Sequence, residues 1–138
     1  MTWNDLLLNM TEFRFNAPVD ERAIIEFERS FGRPLPPDYI DILRHGNGGE
    51  GFLGERYLAL WPLQDLIRLN TDYHVKEFAP NLLLFGSDGG SEAFAFRLLD
   101  DGDIRFVSVP FVPMSGDSAV DFGGTFREFK ERLLSFAV

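Results

Sequence analysis

Apolar residues gather into three short runs in the second half of the chain: Leu82–Phe85, Glu92–Leu98 and Ile104–Val109. Gly86 to Glu92 separates the first two, and Asp100-Asp101-Gly102-Asp103 separates the last two. Runs of this length joined by Gly- and Asp-rich turns read as strands of successive hairpins, which pair antiparallel. Tyr57–Trp61 reads as a further short strand. The period changes elsewhere. Ile24, Phe27 and Phe31 fall at i, i+3 and i+7, one helical face. Asp20 caps that helix, Glu21 lies in its first turn and Gly32 ends it.

A second helix opens at Leu35-Pro36-Pro37-Asp38-Tyr39, where proline costs nothing because a first-turn N–H has no partner. Tyr39, Ile42 and Leu43 form its buried stripe, His45 lies in its last turn, and Gly46 is expected in a left-handed cap. Trp61-Pro62 starts a third helix with Leu63, Leu66, Ile67 and Asn70 inward. Thr125-Phe126-Arg127-Glu128 matches a capping box and starts the last helix. Phe126, Phe129 and Leu133 share its inner face, with Phe136 below. At the N-terminus, residues 3–15 read as a short helix leading into Phe13-Arg14-Phe15, and Asn16-Ala17-Pro18 breaks it. Strands adjacent in sequence with helices at both chain ends define an α+β fold. The expected form is a small, mostly antiparallel central sheet wrapped by about four helices, in one domain spanning 1–138.

Composition supports such a core. The chain has 138 residues, 45% hydrophobic, with 15 Phe, enough apolar bulk to fold without metals or disulfides. It has no cysteine, which removes disulfides, thiolate metal sites and cysteine nucleophiles. The start, MTWNDLLLNM, lacks the basic region of a signal peptide, and no apolar stretch reaches the ~20 residues of a membrane helix. The expectation is a soluble, cytoplasmic protein. The net charge of −9, spread along the chain, repels phosphate backbones and attracts a basic protein. Solubility alone accounts for the same charge equally well.

Candidate chemistry is sparse. A phosphate cradle needs glycines before a helix and a Lys or Arg, whereas Gly86-Ser87-Asp88-Gly89-Gly90-Ser91-Glu92 precedes a strand and is acidic. A calcium loop needs several spaced oxygens, and Asp88 and Glu92 supply only two. The loop reads as a tight turn. His45 and His74 are the only imidazoles, too few for a zinc site without Cys. His45 suits a helix C-terminus and His74 the surface. Neither Ser87 nor Ser91 has nucleophile-elbow spacing. Paired carboxylates are plentiful, so a carboxylate-based hydrolase stays open as a minor reading. Trp61 reads as core, with a partner hot spot as the sharper alternative.

In this order, the segments Ile24–Gly49 (IIEFERSFGRPLPPDYIDILRHGNGG), Leu58–Asn70 (LALWPLQDLIRLN), Leu82–Phe96 (LLLFGSDGGSEAFAF) and Thr125–Leu133 (TFREFKERL) resemble the SUKH superfamily. The closest likeness is to its Smi–Knr cell-wall-regulator-like branch, over a core of about residues 20–136. The motif positions are Pro36, Tyr39, Asn47, Gly48, Gly49, Trp61, Pro62, Gly86, Asp88, Gly89, Gly90, Phe126 and Phe129. Two mild departures are Gln64-Asp65, where two acids are common, and Ser91, where Gly or an acid is frequent.

The resemblance implies a sheet wrapped by helices and a function exerted by protein–protein contact. Many bacterial members look like immunity proteins that neutralise toxins, often nucleases, and fungal relatives act as signalling scaffolds. The chain lacks the long arms of the fungal members, so the bacterial type is expected. The expectation is therefore a non-enzymatic module without a cofactor that binds a basic toxin domain, the alternative being a regulatory scaffold without a toxin. The partner-binding candidates are the loop carboxylates Glu50, Glu55, Asp88, Glu92, Asp100, Asp101 and Asp103, because loops carry function without disturbing the core.

Overall fold

The computed structural model describes residues 7–135. Its frame is one seven-stranded sheet in which each strand pairs antiparallel with the next in sequence. The strands are β1 (Met10–Phe15), β2 (Gly49–Leu53), β3 (Arg56–Leu60), β4 (Leu82–Ser87), β5 (Glu92–Leu98), β6 (Ile104–Pro110) and β7 (Val120–Gly123). Five helices among the described residues complete the α+β fold: α1 (Glu21–Phe31), α2 (Pro37–His45), α3 (Leu66–Asp72), α4 (Val75–Phe78) and α5 (Phe126–Ser135). The expected hairpins β4–β5–β6 are present, with β5 and β6 in register from Glu92↔Pro110 to Leu98↔Ile104. At the Asp100–Asp103 turn Gly102 is left-handed at φ 95°, and the Leu99 N–H donates to the Asp103 carbonyl at 2.9 Å.

The two faces of the sheet differ in bulk. One carries Phe85, Phe94, Phe96 and Phe106, packed against Tyr39, Ile42 and Leu43 of α2 and Phe126, Phe129 and Leu133 of α5. The Phe129 ring lies 5.1, 5.4 and 5.6 Å from those of Phe94, Phe85 and Phe106. The other face carries Leu82, Leu84, Ala93, Ala95, Val107 and Val109 under Val75, Ala79 and Met114. Small side chains there let α3 and α4 lie close. Asn70 exploits that closeness. Beside Leu84 no strand pairs with β4 on the β3 side, and the Asn70 amide takes the place of one. It accepts the Leu84 N–H at 2.8 Å and donates to the Leu84 carbonyl at 3.0 Å.

Helix ends follow local chemistry. The Asp20 carboxylate accepts the Arg22 N–H at 3.0 Å, and Gly32, at φ 91°, closes α1. Of the expected α1 stripe, Ile24 is buried and Phe27 and Phe31 are half-buried. Pro36 stands at the N-cap of α2, whose Tyr39, Ile42 and Leu43 are all buried. Thr125 Oγ1 accepts the Glu128 N–H at 3.0 Å, and the Glu128 carboxylate takes the N–H of Gly124 at 3.1 Å, one residue earlier than a standard box.

Several expectations are corrected. Residues 10–15 form a strand, not a helix: Phe13 and Phe15 turn inward between exposed Glu12 and Arg14, a period of two. Strand β2 was not anticipated: of the glycines after His45, Gly46 and Gly48 lead out of α2, and Gly49 and Gly51 lie in β2. Its glycines make room for β1, since a Cβ on Gly49 would sit 2.3 Å from the Arg14 carbonyl oxygen and one on Gly51 2.5 Å from Phe13 Cα. Gly46 is extended at φ −165°, not left-handed, and a Cβ there would lie 2.5 Å from Phe15 Cβ. Ile67 is 55% exposed, because α3 packs through Leu66 and Asn70 and the next residue turns away. Strand β7 and the short helix α4 were not anticipated; with α4 the described residues hold five helices, in keeping with the expected α+β fold. Phe136 and the start of the 3–15 segment lie outside the described residues.

Candidate interaction site

The seven candidate carboxylates divide between the two ends and one face of the sheet. At one end, Glu55 follows Gly54 in the β2–β3 turn and is exposed, while Asp88 and Glu92 bracket the β4–β5 turn. Asp88 builds that turn: its Oδ1 accepts the Gly90 N–H at 2.8 Å and the Glu92 N–H at 3.2 Å. The tight-turn reading of the Gly-rich loop is correct, and at Gly89, at φ 80°, a Cβ would lie 2.6 Å from the Tyr57 ring. Glu92 points toward the helices and accepts the hydroxyl of buried Ser108 at 3.1 Å. Arg56, Asp88, Glu92, Phe94 and Leu133 line a depression of about 260 Å³ there. Both acids in it are held by hydrogen bonds that serve the turn and Ser108.

Asp100, Asp101 and Asp103 are exposed at the opposite end, the length of a seven-residue strand or about 20 Å away. Asp101 accepts the Asp103 N–H at 2.9 Å, and Arg33 donates to the Leu99 and Asp103 carbonyls at 3.0 and 3.2 Å. That guanidinium ties the turn to the α1–α2 loop and leaves the carboxylates pointing outward. Glu50 lies apart from both ends, exposed on β2, where the Tyr57 hydroxyl donates to it and has its pKa raised by that bond. The structure thus places the seven acids in three locations rather than one patch.

Most motif residues build the frame. Asn47 is a clasp: its Oδ1 accepts the Leu63 N–H at 2.8 Å, its Nδ2 donates to Gln64 at 2.6 Å, and its carbonyl accepts Asn16 at 2.9 Å. One residue, through its side-chain amide and its backbone carbonyl, thereby joins the N-terminal segment, the α2–β2 corner and the turn after Pro62. Gly48 fits beneath it at φ 76°, where a Cβ would meet the Leu60 carbonyl oxygen at 2.6 Å. Gly86 sits at a bulge in β4, with a Cβ position 2.3 Å from the Ala59 carbonyl oxygen; Gly90 is open. Tyr39 packs edge-on to Phe85 and Phe96, its hydroxyl buried without a partner and its pKa pushed well up by burial.

Trp61 is half-buried rather than core. Its ring stacks on Tyr73 at 6.1 Å and 12°, and Tyr73 packs on Phe111 at 4.8 Å. His45 meets the Phe15 ring edge-on at 4.8 Å, and His74 is exposed at a left-handed N-cap. No group of three His, Asp or Glu side chains converges on a metal position among the described residues.

Arginines on the surface are drawn into local pairs: Arg44 with Glu21 and Asp41, Arg68 with Asp65 and Asp72, Arg127 with Glu131. Arg105, hydrogen-bonded to Asp121 at 2.7 Å, holds that carboxyl below its usual range. The candidate acids Glu55 and Asp100 have no partner among the described residues.

An antiparallel meander with helices on both faces and acids in its loops is an architecture that presents surfaces. The model of the SMI1 / KNR4 family (SUKH-1) matches residues 18–132, and the chain belongs to that family. No curated protein matches the chain. Membership points to immunity-protein or regulator-type function, a class whose members are generally not enzymes. No helix among the described residues is long and apolar enough to cross a membrane.

Sequence reading passed over Asp38, which caps α5; it named Asn47 as a motif position and Asn70 as inward-facing, but not the distant backbone that each binds. It also missed Phe52, which joins Glu50 and Tyr57 on one open surface. The alternation Glu50-Gly51-Phe52-Leu53 carries that signal, masked by glycine.

Proposed function

We propose that the chain is an immunity-type module that neutralises a basic toxin domain by direct binding, in one domain and in the cytoplasm of a bacterial cell. Family membership over residues 18–132 is the observation that carries this reading. The net charge of −9 selects a basic partner, and exposed carboxylates at both ends of the sheet give the field its direction. The same field disfavours nucleic acid. A regulatory scaffold is the alternative, and the identity of the adjacent genes separates the two. Co-expression tests the proposal: the chain and the toxin domain encoded next to its gene should co-purify, and the chain should restore growth to cells making that domain. A neighbouring product that is toxic yet neither bound nor neutralised would overturn it.

A further inference from the structure

Strand pairing places Arg14, Glu50, Ala59, Ser87, Ala93 and Val109 in one row across six strands. Residues directly paired across strands share a face. The Ala93–Val109 end of that row is buried beneath the layer of Val75, Ala79 and Met114. The other end is bare among the described residues: Glu50 and Arg14 are exposed, and Ala59 is only half-buried. Two residues along from Glu50 and Ala59, on the same face, stand Phe52 and Tyr57. Their rings meet edge-on at 5.8 Å, and Phe52 is 37% exposed. A depression of about 660 Å³ opens over Glu12, Arg14, Glu50, Phe52 and Tyr57. The Trp61–Tyr73–Phe111 stack stands where β3 ends, with Tyr73 42% exposed.

We propose that this bare β1–β3 face is where an arginine-bearing segment of a basic protein partner docks. The inference rests on the binding function proposed above and names its surface. The chemistry favours arginine over other occupants. Glu50 holds the Tyr57 hydroxyl, so a carboxylate is fixed at the edge of an aromatic pair. A planar guanidinium can lie on a ring and meet that carboxylate together, which a lysine ammonium does less well. Glu12 adds a second negative charge on the rim. A second copy of the chain would bring together two bodies that each carry −9. Asp88 and Glu92 are held in their turn, whereas Glu50 faces outward.

The test titrates the isotope-labelled full chain with nona-arginine, nona-lysine and nona-glutamate peptides at low salt, following backbone amide shifts. Phe52→Ala, Glu50→Gln and Tyr57→Phe are compared with an E26Q/E77Q control, which removes two exposed acids of α1 and α4, each checked for folding by thermal melt. Nona-arginine is expected to shift Glu50, Phe52 and Tyr57. It should bind at least about threefold tighter than nona-lysine and lose about threefold or more in each of the three variants, but not in the control. Shifts confined to Asp100–Asp103, with the three variants inert, would overturn the surface and leave a basic partner standing. Self-association that shifts the same residues without peptide would overturn it in favour of a second copy. No saturable binding would end the proposal. If the co-expressed neighbour also failed to bind, the reading beneath it would fall as well.

Discussion

The Asp38 carboxylate on α2 accepts the backbone N–H of Phe126 at 2.9 Å, across 88 positions of sequence, and its second oxygen accepts that of Arg127 at 3.0 Å. Asp38 is only 9% exposed, and it also lies in the first turn of its own helix. One buried charge therefore meets the positive ends of two helices, and its hydrogen bonds offset the cost of taking it from water. Thr125 caps a different donor, the N–H of Glu128. The two caps are unequal, because removing Asp38 leaves two N–H groups unpaired, one of them buried. Asp38→Ala is expected to cost about 2–4 kcal/mol and Thr125→Ala about 1 kcal/mol. Urea melts of both variants check the order, and an Asp38→Ala loss no larger than that of Thr125→Ala would refute the double cap.

Asn70 predicts a comparable loss at another joint. Asn70→Asp keeps an acceptor for the Leu84 N–H but removes the donor shared by the Leu66 and Leu84 carbonyls, which stand 2.7 and 3.0 Å away. A carboxylate facing two carbonyl oxygens is repelled, so the variant should be destabilised by about 2–3 kcal/mol. Hydrogen exchange at the Leu84 amide should rise before that of β5. Unchanged exchange there would show that another group holds β4.

Tyr39 predicts a gain. Its hydroxyl is buried with no partner among the described residues, beside Phe85 and Phe96. Tyr39→Phe removes an unsatisfied polar atom and keeps the ring, so stability should rise by up to about 1 kcal/mol. A loss of stability in a chemical melt would mean that the hydroxyl has a partner after all.

How far these joints were readable depends on the distance over which their cause acts. The β4–β6 hairpins, the α2 stripe and the last helix are local patterns: alternation or i, i+3, i+7 spacing bounded by turn residues. They appear in the structure where the pattern places them. Gly46 misled because glycine after a helix signals a left-handed cap by itself, whereas here it, like Gly49 and Gly51, makes room for Phe15 and β1, more than thirty residues away. Asp38, Asn47 and Asn70 look like ordinary polar residues until the backbone they bind is folded beside them. The candidate acids divide in the same way. The outward Asp100–Asp103 turn was legible, but the surface shared by Glu50, Phe52 and Tyr57 exists only once β2 pairs with β3.

Asp121 ties β7 to Arg105 on β6 with its pKa lowered, first by the hydrogen bond from Arg105. A depressed folded pKa adds stability that is full above the ordinary aspartate value of 3.8 and is lost as pH falls through the folded value. Both side chains are substantially exposed, so solvent screens the pair and its worth stays under about 1 kcal/mol. Asp121→Asn should therefore lower stability slightly at neutral pH and match the wild type in strong acid. A difference that persists or grows in acid would assign the effect to something other than this ion pair.

The two kinds of acid site predict separable kinetics with a basic partner. Asp100, Asp101 and Asp103 are exposed, and although Asp101 also accepts the Asp103 N–H within the turn, all three present charge to solvent. Exposed charges at such a distance govern association and its salt dependence. A D100N/D101N/D103N variant should associate more slowly and lose part of its ionic-strength slope, with dissociation nearly unchanged. Glu50 is fixed against Tyr57 beside the Phe52 ring, a site for a seated side chain rather than a long-range field. An E50Q/Y57F variant should therefore dissociate faster, by about threefold or more, while keeping most of its association rate. Stopped-flow association and dissociation across ionic strengths, with the partner recovered by co-expression, measure both. If the two variants change the same rate constant in the same way, the division between steering and seating is wrong, and the whole acidic surface acts as one field.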